Sequence, residues 1–159
     1  MISDMDNLKI VSVYSGNAMK NSKVLKRKHS AFILRTSGKR FFDFGDKTLT
    51  VSKGEIFFLP KSATYNSKNV SEEECGYICI AFDSDDTGST PEVYSLESFP
   101  EAYHIFNHLV YNWDSSGKAG KFKCLSMFYS LLSYISSTET PRLFPQKQIR
   151  TYKTGNLVS

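Results

Sequence analysis

Histidine and cysteine are the residues of this sequence whose side chains most often bind metals. The chain has three histidines, His29, His104 and His108, whereas a first-row metal needs three or four N, O or S ligands that converge on one point. His104 and His108 lie four residues apart on a predicted helix, with Glu101 one turn earlier. That spacing alone is more typical of surface histidines than of a zinc site. We therefore predict no metal and no other cofactor.

The three cysteines, Cys75, Cys79 and Cys124, cannot all pair. The odd number and the lack of a secretory signal at the N-terminus indicate a reducing compartment and free thiols, hence a cytoplasmic protein. No apolar run approaches the ~20 residues of a membrane helix. The sequence has no nucleophile–base pair in a recognisable context and no phosphate loop. We therefore expect neither an enzyme nor a membrane partner.

A pocket for a small molecule is the remaining kind of site. Aromatic residues make up 14% of the chain, with 12 Phe and 9 Tyr, and they lie in short segments that favour strands around a ring-lined interior. Tyr77 and Cys79 alternate onto one face of a predicted strand. Because a phenol inside a barrel must find a hydrogen-bond partner, Tyr77 is the first candidate. Arg27, in a Lys-rich loop, is a candidate partner for an anionic or hydroxyl-rich ligand. The alternative for these residues is core packing, or a solvated loop for Arg27.

The elements that position these residues are predicted to be short strands in the first two thirds of the chain. Their spacing of ~8–12 residues, with turn-forming residues between them, indicates a sandwich or barrel. Gly45-Asp46 predicts a tight hairpin. The run Glu55–Leu59 is apolar on both faces and needs a layer on each side. The predicted strands are Leu8–Tyr14, Ser30–Thr36, Arg40–Phe44, Thr48–Ser52, Glu55–Leu59 and Gly76–Phe82, and Tyr65 is expected to face inward on a further strand.

Two helices follow, at Pro100–Trp113 and at about Lys118–Ser137. The second has two adjacent apolar stripes, which together are wider than the ~100° arc that packs on one neighbour. One stripe is expected to dock on the barrel and the other on a partner helix. The alternative is that both stripes are buried within the chain, one of them against the first helix. The candidate dimerisation residues are Cys124, Met127, Leu131 and Tyr134 of one stripe and Leu125, Phe128 and Leu132 of the other.

The segment from Gly54 to Asn69 resembles the second conserved motif of the cupins. Gly54, Pro60 and Asn69 match the motif, whereas Ser62 replaces its second Gly and Tyr65 replaces its metal-binding His. The wider pattern, with His29–Gly38, Tyr77–Phe82 and Gly120–Leu125, resembles the effector-binding domains of AraC-type transcription regulators. Tyr65 matches the pocket-facing His, and Ser67 lies on the same side of the segment. The candidate ligand-binding residues are therefore Tyr77, Tyr65, Cys79, Ser67, Arg27 and His29.

This resemblance implies a mainly β fold, a cupin-like jelly-roll barrel followed by two C-terminal α-helices. It implies an effector-binding barrel at 1–95, a helical dimerisation hairpin at 96–140 and a linker at 141–159. The expected partners are a sugar or small-metabolite effector, a second copy of the chain, and DNA only through a C-terminal domain absent from this chain. The net charge of +4 is not gathered into a stripe along one helix, as a DNA-reading element would be. The alternatives are a stand-alone sugar-binding cupin and a metal-dependent cupin enzyme.

Overall fold

The computed structural model of the protein describes residues 7–85, 88–95, 100–115 and 117–137. Within these ranges the chain forms nine strands followed by two helices. The strands are β1 Lys9–Asn17, β2 Asn21–Val24, β3 Ser30–Arg35, β4 Lys39–Asp43, β5 Thr48–Ser52, β6 Glu55–Leu59, β7 Tyr65–Asn69, β8 Gly76–Asp83 and β9 Glu92–Ser95. The helices are α1 Pro100–Ser115 and α2 Gly117–Ser136. The predicted linker at 141–159 and residues 1–6 lie outside the described residues.

The strands form two antiparallel sheets that face each other. The first sheet has the order β1-β8-β3-β6-β9, and the second has the order β2-β7-β4-β5. The chain passes from one sheet to the other at tight turns, of which the turn between β3 and β4 is the most constrained. Gly38 has a φ of +73° there, and a Cβ on it would lie 2.4 Å from the carbonyl oxygen of Glu74. The mainly β architecture with two C-terminal helices is the predicted one.

Every predicted strand is present, and the hairpin at Gly45 joins β4 to β5. Two strands were not predicted, β2 and β9. Each has only four residues and lies at the edge of its sheet, β2 beside β7 and β9 beside β6. Edge strands of this kind are paired on one side only and carry polar residues, so they lack the apolar alternation that identifies a strand in a sequence.

The first sheet is covered on both faces, as the doubly apolar run of β6 required. Phe57 and Leu59 face the second sheet and belong to the core between the sheets. Ile56 and Phe58 face the other way and pack against the helices. These four side chains have no exposed surface, so β6 stabilises both layers at once.

Helix α2 buries both of its apolar stripes within its own chain, which corrects part of the predicted dimer contact. Cys124, Phe128 and Leu131 have no exposed surface and Leu132 is 6% exposed. The Phe128 ring lies 5.1 Å from that of Phe82 on the first sheet. Side chains buried to this extent have little or no surface left for a partner, so the alternative, burial within the chain, holds for these four residues. Met127, Leu125 and Tyr134 are partly buried against the same core, and their role in a dimer stays a prediction.

The two helices form a hairpin against the first sheet. The Cys124 thiol donates a hydrogen bond of 3.4 Å to the carbonyl oxygen of Leu109 on α1, which indicates close packing of α1 on α2. Neither helix, as described, has the length and apolar character that crossing a bilayer requires.

Candidate functional site

A cavity of about 230 Å³ lies between the two sheets. On the first sheet its wall is built from neighbouring residues of β1, β8 and β3. Tyr14 pairs with Cys79, and Cys79 pairs with Ile33 on the other side. In the next row Tyr77 pairs with Arg35. Because side chains of a strand alternate between its two faces, all of these point toward the second sheet.

The second sheet contributes the opposite wall. Ser67 of β7 pairs with Ser22 of β2 and with Phe42 of β4, and these three residues line the cavity. Arg40 and Tyr65 complete this wall. Its side chains are mostly polar, unlike the ordinary core of a small barrel.

Aromatic rings fill the other end of the barrel. The Phe42 ring lies 4.8 Å from that of Phe57 and 5.7 Å from that of Tyr65, and the Phe44 ring lies 5.5 Å from that of Tyr65. These rings leave open the polar end, where Tyr65 presents its hydroxyl group to the cavity. The phenylalanines thus fill the barrel only in part.

Three arginines line the cavity, and Arg27 is the most exposed of them. Its Nη1 donates to the Tyr65 hydroxyl at 3.2 Å, and its Nε donates to the carbonyl oxygen of His29 at 3.1 Å. These two bonds fold the loop before β3 over the cavity and fix the phenol of Tyr65.

Arg40 is 3% exposed and ties three segments together. Its Nη2 donates to Ser67 Oγ at 3.0 Å, and its Nη1 donates to Asn69 Oδ1 and to the carbonyl oxygens of Met19 and Lys20. The guanidinium therefore holds the β1–β2 turn against β7. All four acceptors are neutral.

Arg35 is as buried as Arg40, but its hydrogen-bond donors are poorly satisfied. It is 3% exposed, and its Nη1 donates to the carbonyl oxygens of Cys75 and Gly76 at 3.4 Å each. Its Nε is buried without a hydrogen-bond partner. The guanidinium carbon lies 5.9 Å from the centre of the Tyr77 ring, which gives it a cation–π contact.

The cavity carries positive charge without an internal counter-charge. The described residues that line it include no Asp or Glu, and the contacts between basic and acidic side chains found in the described part of the chain, Lys20–Glu72 and His29–Asp83, do not involve the three arginines. Burial lowers the pKa of Arg35 to about 10 and also lowers the pKa of Arg40. A guanidinium nevertheless keeps its proton in proteins, so both side chains are cationic at neutral pH. Burying a charge without a partner is unfavourable. The site is therefore suited to a ligand rich in acceptors or negative charge.

Three further side chains of the cavity, Tyr14, Tyr65 and Cys79, are neutral at pH 7. Burial raises the pKa of the Tyr14, Tyr65 and Cys79 side chains above their ordinary values. The phenols thus serve as hydrogen-bond donors and acceptors, and the Cys79 thiol is not a ready nucleophile.

Five of the six predicted ligand-binding residues come together at this cavity: Tyr77, Tyr65, Cys79, Ser67 and Arg27. That they bind a ligand stays a prediction. His29 is the exception, because its side chain does not line the cavity and its Nδ1 lies 2.8 Å from Asp83 Oδ1. The structure thus does not bring His29 to the cavity, and a ligand-binding role for this residue stays a prediction.

Sequence reasoning missed Arg35, Arg40 and Tyr14. The signal was available in the alternation of the strands, since Arg35 lies two residues after the inward-facing Ile33 and Arg40 lies two residues before the inward-facing Phe42. Lys and Arg side chains are rarely buried without a partner. A cation at an inward-facing position of a strand therefore indicates a function more strongly than a cation in a loop does.

Within the part of the chain that the structure describes, no three His, Cys, Asp or Glu side chains are grouped so that they could hold a metal ion. Two shallower grooves lie elsewhere on the surface. One follows the outer face of the second sheet around Phe41 and Lys68, and the other lies between α1 and α2 around His104 and Tyr129.

No protein-family model matches the sequence, and no curated protein sequence is similar to it. The structure, however, is similar to crystal structures of ToxT from Vibrio cholerae, a regulator of the AraC family. An apo ToxT variant matches with a TM-score of 0.58 at 10% identity, over 78% of this chain and 55% of that chain. ToxT with a bound unsaturated fatty acid matches with a TM-score of 0.54 at 10% identity, over 84% of this chain and 55% of that one.

A third ToxT structure was solved with a methylnaphthalenyl butenoic acid bound. It matches with a TM-score of 0.52 at 12% identity, over 79% of this chain and 56% of that chain. This chain therefore spans a little over half the length of the ToxT chains that it matches. The shared fold is the cupin-like barrel followed by two helices.

Proposed function

We propose that this chain is the effector-binding, regulatory domain of an AraC-type transcription regulator and that the effector binds in the cavity between the sheets. The observation that carries the proposal is a barrel with the ToxT fold whose interior is left open at one end and lined by polar side chains, Arg35 and Tyr77 among them. Pockets for small molecules are concave and contain a few placed polar groups. The two acids bound in the ToxT structures support the same type of site here.

Strand β8 provides a direct path from the cavity to the helices. Tyr77 and Cys79 line the cavity, whereas Ile78, Ile80 and Phe82 belong to the core that contains α1 and α2. A ligand that prefers one position of β8 therefore also biases the packing of the helices. Regulation follows from linkage, because a ligand shifts an equilibrium by its difference in affinity for the two states.

The proposed homodimer uses the outer face of α2. Phe122 is 66% exposed and Tyr129 is 50% exposed, and their spacing of seven residues places both on the face opposite the core. A partner helix that covers them would bury apolar surface in the way that AraC-type dimers are expected to. DNA binding would belong to a further domain, as in a regulator about twice this length.

Affinity selection tests the effector proposal. The protein is incubated with a bacterial metabolite extract, filtered and washed, and the retained small molecules are identified by mass spectrometry. We expect the wild type to retain a compound that Cys79→Phe, which fills the cavity, loses. Thr48→Phe, on the outer face of β5, is the matched control and should retain it. Equal retention by Cys79→Phe, or retention of nothing by the wild type, would contradict the proposal.

A further inference from the structure

We infer that the cavity selects a compact ligand with two negative charges, a small dicarboxylate or a small phosphorylated metabolite. This inference rests on the proposed function and specifies its effector. It narrows the sugar or small-metabolite effector expected from the sequence to one chemical class, and it differs from the unsaturated fatty acid bound in a ToxT structure.

The number of charges follows from burial. Arg35 and Arg40 are each 3% exposed, and every acceptor that they reach among the described residues is neutral. Arg27 is only partly buried and retains contact with solvent. Two buried cations without a counter-charge favour a ligand with two negative charges, because a single carboxylate would leave one of them uncompensated in an interior of low dielectric constant.

Arg35 marks where one anionic group would bind. Its Nε is buried and has no acceptor, and its two bonds to carbonyl oxygens are long at 3.4 Å. A guanidinium has five N–H donors in a planar fork that fits a carboxylate or phosphate with two parallel bonds. Arg35 comes from the first sheet and Arg40 from the second, so the two cations approach a ligand from opposite walls.

The size of the cavity limits the ligand. About 230 Å³ is below the ~300–1,000 Å³ of ordinary ligand pockets. A chain of about four carbons with an acidic group at each end is matched to this volume, whereas a long fatty acid or a disaccharide would extend out of it through the open end.

Thermal unfolding in the presence of matched ligands tests the inference. Dicarboxylates of three to five carbons and glycerol phosphate are compared with their neutral diamides, with glycerol, with simple sugars and with a long-chain fatty acid, all at equal ionic strength. We expect at least one dianion to raise the Tm of the wild type by several degrees at ~100 times its Kd. The neutral isosteres should leave it unchanged. Whether a dicarboxylate or the phosphate ester binds more tightly identifies the source of the charge.

Variants separate this site from general anion effects. Arg35→Met should lower the affinity for the dianion at least tenfold, and Arg35→Lys should restore part of that affinity. Lys28→Met, which removes an exposed cation, should leave the affinity unchanged. Equal stabilisation of wild type and Arg35→Met by the dianions would overturn the inference. So would a Tm shift caused only by a sugar, a diamide or the fatty acid, although the effector role itself would then stand. If no dianion raises the Tm, the inference is wrong, and the affinity selection decides the effector role separately.

Discussion

At the scale of single residues, the two buried arginines have different roles. Arg40 satisfies four acceptors on β7 and on the β1–β2 turn, so it is part of the framework of the barrel. Arg35 makes two long hydrogen bonds and has an unpaired Nε. The framework role predicts a loss of stability on substitution, and the ligand role does not.

Substitution by methionine separates these roles. Arg40→Met leaves Ser67 and the turn carbonyls without a donor, and we expect it to lower the free energy of unfolding by about 2–4 kcal/mol. Arg35→Met removes a buried charge that has no counter-charge, and we expect the stability of the unliganded protein to be unchanged or higher. Urea unfolding of both variants without ligand measures this. A large loss for Arg35→Met would assign that residue to the framework as well.

The Cys79 thiol should react slowly with alkylating reagents. Burial raises its pKa, so the thiolate that attacks iodoacetamide is scarcer at pH 8 than for an ordinary cysteine, and the side chain is only 1% exposed. Peptide mass spectrometry after timed labelling should show a rate at least tenfold below that of the same cysteine in urea. An effector in the cavity should lower the rate further. Labelling of folded and unfolded protein at equal rates would show that the cavity wall is not closed around Cys79.

Residue-level prediction succeeded where alternation and the family resemblance agreed. Tyr77, Cys79, Tyr65 and Ser67 lie on strands and point inward, so their place at the cavity could be foreseen. The place of His29 away from the cavity could not be foreseen, because the sequence does not show that Asp83 lies beside it, 54 residues away. Arg35 was overlooked because a cation at the end of a strand usually reaches solvent, and its burial depends on how the following turn packs.

At the scale of elements, the aromatic contacts between the helical hairpin and the first sheet centre on Phe128. Phe128 lies 5.1 Å from Phe82 and 6.1 Å from Phe32, measured between ring centres. The helices therefore form one core with the first sheet. This arrangement explains why a helix with two apolar stripes needs no partner for most of its apolar side chains.

Alanine substitution tests this packing. Phe128→Ala should lower the free energy of unfolding by about 3–5 kcal/mol, because it leaves a cavity among rings that have no exposed surface. Phe122→Ala on the outer face of α2 should change it by less than about 0.5 kcal/mol in dilute solution, where a dimer dissociates. Urea unfolding followed by circular dichroism measures both. Similar losses of unfolding free energy for the two variants would contradict the assignment of Phe128 to the buried face of α2 and of Phe122 to its exposed face.

The order of strands and helices was predictable because apolar periodicity changes from two to about 3.6 where the helices begin. The short edge strands β2 and β9 were not predictable, since pairing with a neighbour on one side only leaves no apolar periodicity in the sequence. The docking of both stripes of α2 was also open in the sequence. Periodicity shows that a stripe is buried but does not show against what.

At the scale of the whole molecule, the proposed dimer buries the outer face of α2. Tyr129→Asp places a charge on this outer face. It should lower the dimer association constant at least tenfold, because an unpaired charge is costly to bury. Sedimentation equilibrium measures the constant. Lys39→Asp, an exposed change on the second sheet, is the control and should have no effect. A wild-type protein that stays monomeric, or a dimer unaffected by Tyr129→Asp, would contradict this interface.

We propose that this protein binds its effector in the space between the sheets. A two-dimensional ¹H–¹⁵N NMR titration with the compound retained in the affinity selection tests this. We expect the largest shift changes at the inward-facing residues of β3, β7 and β8, around Arg35, Ser67 and Cys79, with smaller changes spreading to α2. Changes confined to the outer groove of the second sheet or to the groove between the helices, with the interior residues unmoved, would contradict it.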